Sequence, residues 1–179
     1  MLPLPPSERD ERTAELVASL RVHQDGEDMN LFATLARHPK LLKRWSDFGG
    51  MLLFGGTLPG ADRELLILRT AVNTGAEYEW GHHQALGRAV GLDDATINRV
   101  VDGPDADGWT DGQALLLRAA DELHDQSRIS DETWTLLAER YDDTQLIEVP
   151  MVVGQYHLVG FTLNSLGIQR EHGFEGFPR

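Results

Sequence analysis

Gly75 splits thirty residues of helical pattern into two, and this pair most limits what the chain can fold into. Residues 61–74 (ADRELLILRTAVNT) read as a strongly apolar helix, with Asp62 at its start suiting the positive end of the helix dipole. Residues 76–90 read as the second helix, stopped by Gly91. The rest of the chain follows the same period. Ala14, Leu16, Val17 and Leu20 recur at helical spacing between Asp10 and Val22, and the polar stretch 23–28 breaks the pattern. Asn30 is the expected cap of a short helix through Arg37. Pro39, whose missing N–H costs nothing at a first turn, starts a helix over 39–54 carrying Leu41, Leu42, Trp45, Phe48, Met51 and Leu52. Gly55-Gly56 with Pro59-Gly60 marks a loop. Asp93 or Asp94 opens a short helix to Val101, residues 102–112 form a turn-rich loop, and 113–125 is helical. Ser130 caps a helix to Tyr141. Asp143 or Thr144 opens the last long helix, which runs to Leu166 despite Pro150.

No strand series emerges, because the β-leaning run Val149 to Val153 sits inside a longer helical pattern. Heptads and low-complexity tracts are not apparent. The expected fold is all-α, a single-domain helical bundle. The expected division is an N-terminal arm and helix (1–38, its first eight residues loose), a helical domain (39–166) and a Gly-rich C-terminal tail (167–179).

The chemistry concentrates in Glu77-Tyr78-Glu79-Trp80-Gly81-His82-His83, in a chain with no cysteine. Residues four apart share a helix face, so Glu79 and His83 point the same way. A carboxylate beside an imidazole moves protons near neutral pH. The bland alternative is a surface ion pair worth about 0.2–0.5 kcal/mol. Glu79, His82 and His83 also offer metal ligands, but adjacent histidines diverge by about 100° on a helix, so no metal is expected. A formal charge of −13 argues against nucleic acid, which needs a basic patch. No signal peptide is visible and no apolar run reaches membrane-span length, so a cytoplasmic protein without a membrane partner is expected.

RELLILRTAVNTGAEYEWGHHQALGRAVGLDDATI, residues 63–97, resembles the carboxymuconolactone decarboxylase superfamily, which includes the alkylhydroperoxidase D-like proteins. The thiol-bearing branch carries a Glu, a Cys-x-x-Cys beginning twelve residues on, and a His four residues after the second Cys. Here Glu64 and His83 match the Glu and the His, while Ala76 and Glu79 occupy the cysteine positions. Without two sulfurs the disulfide cycle of that branch has no chemistry to run on. The resemblance therefore implies the non-thiol branch: an alkylhydroperoxidase D-like bundle, and a cofactor-independent decarboxylase or isomerase acting on a small carboxylated lactone or keto acid. It casts Glu64, Glu79 and His83 as catalytic. Tyr78, His82, Arg69 and His157 are candidate substrate-binding residues, Arg69 as an anchor for a carboxylate. It further implies a homo-oligomer, a trimer or hexamer. The competing expectation is a non-catalytic protein that binds a ligand in the same pocket.

Overall fold

The computed structural model describes residues 1–20 and 28–178. They form nine α-helices and no strand: α1 (Glu11–Ser19), α2 (Asn30–Leu35), α3 (Pro39–Gly50), α4 (Gly60–Thr74), α5 (Glu77–Ala89), α6 (Asp94–Arg99), α7 (Asp111–Gln126), α8 (Asp131–Ala138) and α9 (Asp143–Leu166). The expected all-α bundle is what forms. The expected end of the first helix, at Val22, and most of the polar stretch 23–28 lie outside the described residues.

Helix α4 is the axis of the bundle. Leu65, Leu66, Ile67, Leu68, Thr70 and Ala71 are all buried, so this helix is covered on every side, by α5, α7 and α9. Gly75 ends it in the left-handed region (φ 65°), where a side chain would be strained, and the chain reverses into α5. Helix α9 packs close to the end of α4. A β-carbon at Gly160 would lie 3.0 Å from Thr74 Cβ, and Asn164 donates to the Thr74 carbonyl at 2.7 Å.

Among the described residues, six of the nine helix starts, those of α1, α3 and α6 to α9, are fixed by a side chain that accepts a backbone N–H. Ser130 caps α8 as expected, and Thr110 with Gln113 forms a capping box on α7. Asp142, one residue before the expected start, forms another with Gln145 on α9. Asn30 does not cap α2; it is that helix's first residue, and its side-chain amide donates to the Gln169 carbonyl. The expected helix 39–54 stops at Gly50 and continues as a π-helical turn, Met51–Gly55. Glu148 on α9 accepts from the Thr57 and Leu58 amides and pins the loop that follows.

Two expectations are corrected. The first eight residues are not loose: Leu4 N–H bonds the Ala33 carbonyl, and Arg9 donates to the Leu4 carbonyl. Helix α9 is long and apolar enough by length and composition to cross a membrane, although just over half of its apolar window is buried inside the protein, as in a core helix. The tail after α9 lies across α5. A β-carbon at Gly81 would come within 2.8 Å of the Glu175 carbonyl oxygen, so this position has to be glycine for the tail to seat there.

Candidate functional site

Glu64 stands in the second turn of α4, and Glu79 and His83 lie one turn apart on α5. Because α4 and α5 run back to back from Gly75, the three meet. His83 Nδ1 is 2.6 Å from Glu64 Oε2, and its Nε2 is 2.9 Å from Glu79 Oε1. Glu64 is fully buried and also meets Arg63 at 3.2 Å. Burial pushes the His83 imidazolium toward neutrality, but the Glu64 and Glu79 carboxylates outweigh it and hold the ring's pKa up at about 10. At neutral pH His83 is therefore a cation, hydrogen-bonded to Glu64 through Nδ1 and ion-paired with Glu79 through Nε2.

The cluster faces a cavity of about 510 Å³ between α5, α9, α3 and the N-terminal helices. Glu79 and His83 line it, whereas Glu64 sits behind them. Much of the remaining wall is apolar, with Leu31, Phe32, Trp45, Leu53 and Val159. Among the described residues, no Lys or Arg lines it. Glu79 Oε1 is taken by His83. Among the described residues nothing bonds Glu79 Oε2, which leaves it for whatever occupies the cavity.

The other expected site residues are placed as follows. Tyr78 and His82 line the cavity, but their polar atoms are committed to the tail. The Tyr78 hydroxyl donates to Glu171 Oε1 at 2.6 Å and accepts from the Leu31 amide, and His82 Nε2 lies 2.6 Å from Glu171 Oε2. Burial opposes the Glu171 charge, yet His82, Tyr78 and the Asn30 amide together hold its pKa down at about 2. His82 also stacks on Phe174 with ring centres 4.0 Å apart.

Arg69 is not at the cavity. It points to the opposite side of α4, where it grips both oxygens of Asp121 (2.6 and 2.9 Å) and the Val100 and Val101 carbonyls. It therefore ties α4 to α7 and has no reach to a bound carboxylate. His157 faces outward too: its Nε2 lies 2.9 Å from His124 Nδ1, and the two rings stack.

The inward positions are the two residues just before His157, which the sequence reading passed over. Gln155 and Tyr156 are both buried and both line the cavity. The Tyr156 ring meets His83 edge-on at 4.9 Å. Burial, then the Glu79 and Glu64 charges, push its phenol well above the ordinary range, so it stays a neutral donor. Among the described residues, neither the Gln155 amide nor the Tyr156 hydroxyl has a hydrogen-bond partner.

Residues 39–122 match the carboxymuconolactone decarboxylase family. The matched segment runs from the start of α3 into α7 and contains the Glu64–His83–Glu79 row. No curated protein matches the chain. Solved structures of alkylhydroperoxidase D-like proteins share its fold. One is an uncharacterized peroxidase-related protein with an alkylhydroperoxidase AhpD core from Ralstonia eutropha JMP134, 19% identical over 95% of this chain and 91% of that one, with a TM-score of 0.80. A peroxidase-related protein from Silicibacter sp. TM1040 is 16% identical over 96% and 91%, with a TM-score of 0.82. The debrominase Bmp8 is 14% identical over 96% and 91%, with a TM-score of 0.79. At these identities the likeness establishes the fold, and the family includes enzymes. The reaction must be argued from the site.

Proposed function

We propose that this family member is a cofactor-independent acid/base enzyme that moves a proton at a carbon next to a carbonyl or lactone. The observation that carries this reading is the buried Glu64–His83–Glu79 row, which ends in the unbonded Glu79 Oε2 at the cavity. Oε2 takes the proton from carbon and the electron pair passes into the carbonyl oxygen. The imidazolium bonded to Oε1 steadies the Glu79 charge before the step, and Glu64 steadies the imidazolium throughout. Returning the proton to a different carbon of the conjugated system completes an isomerisation. In a decarboxylation, carbon dioxide leaves its electron pair in the same system, and the proton that quenches it at carbon comes through the Glu79–His83 pair.

The residue types fit this use, since a positioned acid/base group contributes about 10²–10⁴-fold to rate. A relative in this fold, Bmp8, was solved as a cysteine-to-alanine form with 2,3,4-tribromopyrrole. We propose a ligand of similar, ring-like size here, without a thiol step, since the chain has no cysteine. The test is a panel of small lactones, enones and β-keto acids in D₂O, with deuterium uptake and carbon dioxide release followed by NMR. Turnover that falls about 10²-fold or more in Glu79→Gln and His83→Gln supports the reading. Turnover unchanged in both variants overturns it, and no turnover on any compound favours a ligand-binding role.

We further propose that the functional unit is a cytoplasmic homo-oligomer, a trimer or hexamer, built on residues 39–166 with both flanks. The flanks are included because Leu31 and Phe32 line the cavity and Glu171 holds its wall. Ile147, Met151, Leu158 and Phe161 are exposed along one seam of α9, spaced as for packing on another helix. A solution mass of one 19.9 kDa chain would refute the oligomer.

A further inference from the structure

On α5 and α9 the cavity wall carries three polar groups that no described residue uses, Glu79 Oε2, the Gln155 amide and the Tyr156 hydroxyl, and the Trp45 indole N–H on α3 is unpartnered too. All three residues are less than a tenth exposed. Their polar atoms open on the cavity, and a polar group of a pocket wall without a protein partner is where a ligand or an ordered water bonds. The set has a definite character. The Tyr156 hydroxyl donates, the amide both donates and accepts, and the carboxylate oxygen only accepts. They sit on two facing helices, α5 and α9, across an apolar space.

Among the described residues, the cavity wall offers no cation with a free donor. Among the described residues, no Lys or Arg lines it. Both nitrogens of His83 are covered by carboxylates, and His82 is held by Glu171. A carboxylate entering here would give up its water, gain no cationic partner from these residues and come to rest near the Glu79 charge. An uncharged molecule with a carbonyl would instead accept from Tyr156 and Gln155, and offer an N–H, O–H or acidic C–H to Glu79.

We infer that Gln155 and Tyr156 are the substrate-recognition pair of this site, and that the ligand is an uncharged, ring-sized carbonyl compound, not a carboxylate. This rests on the proposed proton-transfer site and narrows it, because an uncharged substrate calls for isomerisation rather than loss of carbon dioxide. At Gly49 a β-carbon would sit 3.1 Å from Gln155 Nε2, so a side chain there would push the amide out of place.

Two probes of nearly equal shape, 2-naphthamide and 2-naphthoate, separate charge from size. Binding of each to the full chain is measured by calorimetry, with no turnover required, so failure of the enzymatic reading and failure of this one are told apart. The expected result is that the amide binds roughly tenfold or more tightly than the carboxylate, a gap in the range of one or more buried hydrogen bonds. Tyr156→Phe and Gln155→Leu should each erase most of that gap with melting temperature little changed. Glu79→Gln should strengthen naphthoate binding by removing the facing charge. Naphthoate binding equal to or tighter than the amide, absence of binding by both, or an unchanged ratio in the folded Tyr156→Phe and Gln155→Leu variants each overturns the inference.

Discussion

Replacing His83 by Gln removes the one cation between two buried carboxylates while keeping a side chain that can still donate a hydrogen bond. The magnitude follows from the proton linkage. The His83 pKa stands near 10 in the folded protein against an ordinary value of 6.5. A group raised on folding contributes fully below its unfolded value and loses that contribution as pH rises through its folded value. Between about pH 6.5 and about pH 10, the folded protein therefore binds one more proton at this site than the unfolded chain does. Stability from His83 falls there by about 1.4 kcal/mol per pH unit, and by about 4–5 kcal/mol over the whole window. Removing one partner of a buried ion pair costs a similar amount, about 3–5 kcal/mol. For a chain of this size that is about 10 °C in melting temperature. Urea unfolding of wild type and His83→Gln at about pH 6.5, 8 and 9.5 measures it: the gap should be widest at the lowest pH and shrink at each step. Parallel pH profiles, or a variant within about 1 kcal/mol of wild type at every pH, would refute a charged His83 held between Glu64 and Glu79.

Glu171→Gln weakens the tail's hold on Tyr78 and His82 and should cost roughly 1–3 kcal/mol. With its folded pKa lowered to about 2, Glu171 contributes above its unfolded value, and the difference from wild type should vanish as pH falls toward 2; early proteolysis after α9 reports release of the tail. Arg69→Ala takes the cation from Asp121, which among the described residues keeps only the Asn73 amide, and should destabilise by about 3 kcal/mol, measured by urea unfolding, while naphthamide binding stays at the wild-type value. Gly160→Val forces a branched side chain against Thr74, whose Oγ1 would lie 2.6 Å from the β-carbon alone, and should lower stability by about 1–3 kcal/mol in the same unfolding assay.

Much of the fold was legible because most of its helices carry a clear start, stop or stripe. The site was legible only where it is local. Glu79 and His83 are one turn apart on one helix, and a spacing of four residues shows that directly. Glu64 reaches His83 across a helical hairpin, a meeting that no periodicity reveals and only the family pattern suggests. On α9 the sequence points to His157, whereas its neighbours Gln155 and Tyr156 are the residues that face the cavity. The inward face, Leu146, Val149, Val152, Tyr156 and Leu163, and the outward seam, Ile147, Met151, Leu158 and Phe161, are both apolar. With two apolar faces, the helix gives no contrast to say which of Gln155, Tyr156 and His157 turns inward, and the histidine drew attention for its chemistry alone. Arg69 likewise looked like an anion anchor because its partner, Asp121, lies 52 residues away on another helix. Glu171 sits in a Gly-rich tail with no period to mark it.

The exchange at position 79 is what sets this chain's chemistry apart. In the thiol pattern that the sequence resembles, the positions of Ala76 and Glu79 carry sulfur. Ala76 is buried and inert, while Glu79 places an oxygen base on the cavity wall beside an imidazolium. An imidazolium next to a thiol favours a thiolate, a soft nucleophile able to attack sulfur or oxygen and form a covalent intermediate. The same imidazolium next to a carboxylate makes a positioned Brønsted base. On the proposed reading Glu64 serves either arrangement, since it bonds the ring at Nδ1, away from position 79. On the proposed reading, exchanges at positions 76 and 79 turn one supporting frame from covalent sulfur chemistry to proton transfer, while the helices that build the frame stay in place.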